Sequence, residues 1–133
     1  MHKVISIFTI VTVLLSFSCK KYPDGNTFSI HSHSALVTNN WVCEQVLVNN
    51  SESTGFYKQY TYNYAANNSY SEYNGYTTMS GTWQLTSNDD SLIVKLNTNQ
   101  VLHRYKVLKL KNSSLWLTEN VNTATYEWHM KSK

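Results

Sequence analysis

Apolar and polar residues alternate along most of the chain in short runs, and clusters of Asn, Ser, Thr and Gly separate the runs. A period of two places alternate side chains on opposite faces of a strand. The first run covers residues 41–48 and stops at Asn49-Asn50-Ser51. Residues 56–64 follow, with Tyr60, Tyr62 and Tyr64 on one face and a turn at 65–69. Residues 69–73 end at Asn74-Gly75, a strong hairpin dipeptide. Residues 78–85 put Trp83 and Leu85 on one face, and a polar turn covers 87–91. Leu92, Val94 and Leu96 alternate inward, and Asn97 to Gln100 turns. Residues 101–110 set Tyr105 and Val107 inward, with Leu110 joining them only through a bulge or bend. Residues 114–119 present Leu115 and Leu117, and residues 123–130 present Tyr126, Trp128 and Met130.

No segment shows a convincing helical period. The pattern therefore predicts an all-β fold of about eight sequential antiparallel strands. Such a meander resolves its unpaired edges best by closing, which gives an eight-stranded up-and-down barrel over residues 36–133.

The first residues break this pattern. Lys3 precedes an uncharged apolar run of about a dozen residues, shorter than the roughly 20 that span a bilayer. Residues 1–18 fit a secretory signal peptide. Ser16 and Ser18 stand at −3 and −1 of Cys19, and Lys20-Lys21 follow. This junction resembles the lipobox of bacterial lipoproteins, with Ser16 where Leu is usual. The resemblance implies lipidation of Cys19. Two or more acyl chains hold a protein stably to a bilayer at about 0.8 kcal/mol per buried methylene. The expected location is the bacterial cell envelope, at the outer membrane, with the periplasmic and surface faces both open. Residues 19–35 hold the only Pro and read as a polar, flexible tether.

Composition narrows the functions. About 115 residues remain after the leader, enough for one domain. The net charge of +3 is spread rather than clustered, so there is no basic stripe for nucleic acid. If Cys19 is lipidated, Cys43 stands alone without a disulfide partner, and its apolar neighbours suit a packed core thiol. His31 and His33 read as solvated, with no third ligand nearby, and no metal or cofactor is expected.

The order of short motifs resembles the lipocalin-like domains of small bacterial lipoproteins. It runs from Asn40-Trp41-Val42 through Tyr62-Asn63-Tyr64 and Tyr70 to Gly81-Thr82-Trp83-Gln84-Leu85. Leu92-Ile93-Val94, Tyr105-Lys106-Val107 with Leu110, Leu115-Trp116-Leu117 and Tyr126-Glu127-Trp128 complete it. The resemblance covers about residues 36–130 and implies the same up-and-down barrel. Each motif is a packing pattern and none is catalytic.

Two functional readings stand beside each other. In the first, the barrel binds a small apolar or amphipathic molecule against Trp41, Tyr62, Tyr64, Tyr70, Trp83, Tyr105, Tyr126 and Trp128. The same aromatics equally suit a filled barrel. In the second, Tyr57, Tyr73, Tyr76 and Trp116 lie off the core face and serve an envelope protein or glycan. Catalysis is not expected. The chain has eight carboxylates and no nucleophile, zinc or phosphate-loop signature. Asp89-Asp90 reads as a solvated turn, and His103 and His129 are expected on the outer face near Glu127. Asp90-Ser91-Leu92 resembles a bacterial O-glycosylation motif.

Overall fold

Tight turns set the strand order. In a computed structural model of the chain, which describes Tyr22 and residues 31–133, six non-glycine residues take positive φ. They are Asn49, Asn50, Asn68, Asp89, Asn99 and Asn122, with φ between 50° and 65°. Short Asn and Asp side chains tolerate this left-handed region, and tight hairpins require it. The leader, Cys19 and most of the expected tether lie outside the described residues.

A short helix, α1 (His33–Val37), leads into nine strands. These are β1 (Asn39–Val48), β2 (Ser51–Glu52), β3 (Thr61–Tyr64), β4 (Ser69–Tyr73) and β5 (Thr78–Leu85), then β6 (Ser91–Leu96), β7 (Val101–Lys111), β8 (Ser114–Val121) and β9 (Ala124–Ser132). Neighbours pair in sequence order from β3 to β9, and β1 pairs with both β3 and β9. All pairings are antiparallel, so eight strands close into an up-and-down barrel. The two-residue β2 is an outrigger on the end of β1.

The expected strand over 56–64 is shorter. A 3-10 turn over Thr54–Phe56 and a further turn fill the start of that segment, and β3 begins at Thr61. Thr54 explains the difference. Its Oγ1 accepts from the Val46 amide at 2.8 Å and donates to Glu52, folding the segment back onto β1.

Two bulges keep apolar residues inside. On β1 the register shifts between Cys43 and Gln45, which brings Val46 inward after Trp41. On β7 it shifts between Val107 and Lys109, which brings Leu110 inward. Gly81 marks a close approach of β5 and β6. A Cβ there would lie 1.9 Å from the Lys95 carbonyl oxygen.

The two ends of the barrel differ. One carries the β3–β4, β5–β6 and β7–β8 turns and is closed by α1. Leu36 and Val37 of α1 are buried, and Trp41 Nε1 donates to the Val37 carbonyl at 2.9 Å. Tyr22 is buried at this end, where its hydroxyl donates to the Asp89 carbonyl at 3.0 Å. His33 Nδ1 pairs with Asp89 Oδ2 at 2.7 Å. So Asp89 and His33, read from sequence as solvated, instead clip the segment before β1 to the β5–β6 turn. Residues 33–35, read as tether, are the first residues of α1. The helix escaped the sequence reading because five residues are too few to show a period.

Candidate functional site

Inward-facing residues become more polar toward the other end. On β8 they run Leu115, Leu117, Glu119. On β7 they run Val107, Tyr105, His103, and on β4 Tyr70, Glu72. On β9 they run Met130, Trp128, Tyr126. Apolar packing thus gives way to a cup of about 230 Å³ that opens to solvent. Tyr57, Tyr60, Tyr62, Tyr105, Tyr126, Trp128 and Val121 form its apolar walls, and Glu72, His103 and Glu119 are its ionisable members.

The ring contacts are extensive. Tyr60 stacks with Tyr62 at 6.2 Å between centroids, and Tyr126 with Trp128 at 5.4 Å. Tyr105 meets Trp128 edge-on at 5.2 Å. Such offset and edge-to-face arrangements are the favoured aromatic geometries. Trp128 is 5 % exposed, and its Nε1 has no hydrogen-bond partner among the described residues. Burial raises the phenol pKa of Tyr62 and Tyr105 well above its usual value, so both stay neutral donors.

His103 joins three strands. Its Nδ1 lies 2.9 Å from Glu119 Oε2, and its Nε2 makes a longer ion-pair contact of 3.7 Å with Glu72 Oε2. The Tyr70 hydroxyl donates to the same Glu72 oxygen at 2.7 Å. Glu119 Oε1 accepts from the Arg104 amide at 2.8 Å. The imidazole stacks on Tyr105 at 4.8 Å. Burial works to lower the His103 pKa, but the carboxylates of Glu119 and Glu72 more than offset it and lift it to about 9.

This corrects the outward placement of His103. It shares parity with Tyr105 and Val107, so it faces in with them and pairs with Glu119 and Glu72 rather than Glu127. His129 does face out, with Nε2 2.5 Å from Glu127 Oε1. Glu72 and Glu119 were not singled out from sequence. The signal available was parity alone, two residues beyond Tyr70 and Leu117.

The candidate interior residues divide between two levels. Tyr62, Tyr105, Tyr126 and Trp128 line the cup. Trp41, Tyr64 and Trp83 belong to the packed interior below, and Tyr70 is buried and reaches the site through Glu72. The Trp83 indole donates to the Ala65 carbonyl at 2.9 Å. The four surface candidates do not form one patch. Tyr57 lines the cup, whereas Tyr73 and Tyr76 stand on the β4–β5 hairpin. Trp116 lies on the outer wall between Lys109 Nζ and the His129 ring, each 3.9 Å away. The five most exposed large apolar residues, Phe56, Tyr73, Tyr76, Val101 and Val121, all fall at the open end of the barrel.

Cys43 packs half-buried against the core, and burial pushes its pKa up to about 12. It remains a thiol at neutral pH, without nucleophile character. Among the described residues no cluster of His, Cys, Asp and Glu is arranged to hold a metal ion. Ser91 opens β6, with its hydroxyl donating to Asp90 Oδ1 at 2.9 Å. A second depression of about 210 Å³ beside α1 has no aromatic wall.

No family model matches the chain, and no curated protein matches it. Among solved structures it is similar to a protein from Bacteroides uniformis ATCC 8492 determined by NMR. The two share 15 % identity with a TM-score of 0.56, over 74 % of this chain and 90 % of that one. At that identity the likeness speaks for the fold alone.

Proposed function

We propose that this chain is a lipid-anchored envelope lipoprotein, lipocalin-like in its barrel, that binds a small amphipathic molecule without transforming it. The observation that carries the reading is the open cup, whose wall is aromatic and whose charged groups are gathered in one cluster. A ligand is held by burial of its apolar body against tyrosines and Trp128, and its polar part is oriented by Glu72, His103 and Glu119. Apolar walls with a few convergent polar groups are the usual make-up of small-molecule sites.

The anchoring part of the reading rests on the Cys19 junction, and Tyr22 gives it a geometry. Tyr22 docks at the closed end, three residues after Cys19. Three residues span at most about 11 Å. With Cys19 in the bilayer, the closed end sits at the membrane surface and the cup faces away from it. Entry to the cup is then from the aqueous side.

A second reading has its own support. The apolar rim, with Phe56 81 % and Tyr76 84 % exposed, suits contact with an envelope protein or glycan. Native mass spectrometry of the protein, exported by and purified from its own host, separates the two. A non-covalent adduct that disappears on denaturation is the result expected for a carrier. A clean apo mass would count against the cup and turn attention to the rim.

A further inference from the structure

The cup has an uneven charge balance. Its lining includes two carboxylates, Glu72 and Glu119, against one imidazole, and no Lys or Arg. Counted formally, two carboxylates against one imidazolium leave one negative charge in excess. Glu119 is satisfied on both oxygens, by His103 and by the Arg104 amide. Glu72 is only 5 % exposed, yet its contacts with Tyr70 and His103 both fall on Oε2. Its Oε1 accepts no hydrogen bond among the described residues. That oxygen is not sealed from solvent and faces the water of the cup, where a ligand's donor can take the place of water.

Resting on the reading of the cup as a binding site, we infer that its ligand is a small organic cation, a protonated amine on an apolar body. The ammonium supplies the donor that Glu72 Oε1 lacks and cancels the excess charge. The surrounding ring faces attract it by their quadrupoles, most strongly where water is excluded. The apolar body rests on the stacked pairs Tyr60–Tyr62 and Tyr126–Trp128. An anion of the same shape meets the two carboxylates instead and is repelled. A neutral molecule gains the apolar contact but leaves the charge uncompensated.

Three probes of nearly equal size separate these cases by calorimetric titration of the purified protein. They are 2-phenylethylammonium, 2-phenylethanol and phenylacetate. The ammonium is expected to bind about tenfold more tightly than the alcohol, which corresponds to a cation–aromatic and ion-pair gain of ordinary size. Phenylacetate is expected to bind more weakly than either. Glu72→Gln should bring the ammonium and the alcohol to within about threefold, since it removes the charge and keeps the shape. Tyr126→Leu, a second variant independent of the ion cluster, should weaken the ammonium more than the alcohol.

Equal affinity for ammonium and alcohol, or a preference for phenylacetate, would overturn the cationic ligand and leave the cup standing as a binding site. Failure of all three probes at millimolar concentration would overturn the cup itself. Should Glu72→Gln fail to fold by circular dichroism, the probe ranking on the unaltered protein and on Tyr126→Leu decides the matter.

Discussion

The two ends of this barrel are built from the same residue types and do different things with them. At the closed end, aromatic side chains are pinned by backbone carbonyls: Trp41 by Val37, Trp83 by Ala65, and Tyr22 by Asp89. The polar atoms of these three side chains are paired with backbone, and α1 covers the opening. At the open end, Tyr57 packs at a tilt on Tyr60 and Tyr126 stacks on Trp128 around a hollow, and the ionisable groups face it. An aromatic residue is thus core or lining according to what lies beyond its ring. The contrast explains why one chain holds both a rigid floor and an open mouth.

The largest test of this contrast removes a floor residue. Trp41→Ala at a fully buried, hydrogen-bonded position should cost about 3–5 kcal/mol, measured as a shift in denaturant midpoint. A loss under 1 kcal/mol would mean that the closed end is not the packed core described above. Gly81→Ala probes the wall that joins the two ends. The added Cβ meets the Lys95 carbonyl with no flexible side chain to give way, so a cost of about 1–3 kcal/mol or more is expected. An unchanged melting temperature would contradict the close approach of β5 and β6.

A third test concerns the mouth. The folded-state pKa of His103, about 9, stands above the ordinary value of 6.5. The cluster therefore stabilises the fold fully below about pH 6.5 and loses that contribution as pH rises through about 9. After allowance for partial exposure the loss is about 1–2 kcal/mol. Denaturant unfolding at pH 6 and pH 9.5 reads it directly. His103→Gln should flatten the slope, and the same slope in the variant would remove His103 from the account. The smallest effect belongs to the lining. Tyr57→Ala should cost under about 1 kcal/mol, because the ring is half-buried and solvent replaces it. A cost like that of Trp41→Ala would make the mouth part of the core and erase the contrast.

The barrel was legible in the sequence because its two controlling signals are local. Alternation at Leu92 and Val94 or at Leu115 and Leu117 states which face is inside. Asn-rich breaks such as Asn49-Asn50 and Asn67-Asn68 state where the chain reverses. The need for a bulge before Leu110 was also readable, since Val107 and Leu110 cannot share a face on a regular strand. The candidate site was less legible. That Tyr105 and Tyr126 border a hollow while Tyr64 and Trp83 do not depends on position along the barrel axis, which register and closure decide. Glu72, His103 and Glu119 lie on three strands, and only the completed sheet brings them together. The docking of Tyr22 and His33 on Asp89 joins residues more than 50 positions apart, with no local pattern to announce it.

The most direct measurement is a two-dimensional NMR spectrum of the four tryptophan indole N–H groups during titration with 2-phenylethylammonium. The Trp128 signal is expected to move progressively to saturation, while those of Trp41 and Trp83 stay fixed at the closed end and Trp116 stays fixed on the outer wall. Movement of the Trp41 or Trp83 signal, or no movement of Trp128 at any concentration, would contradict a binding cup at the open end of a filled barrel.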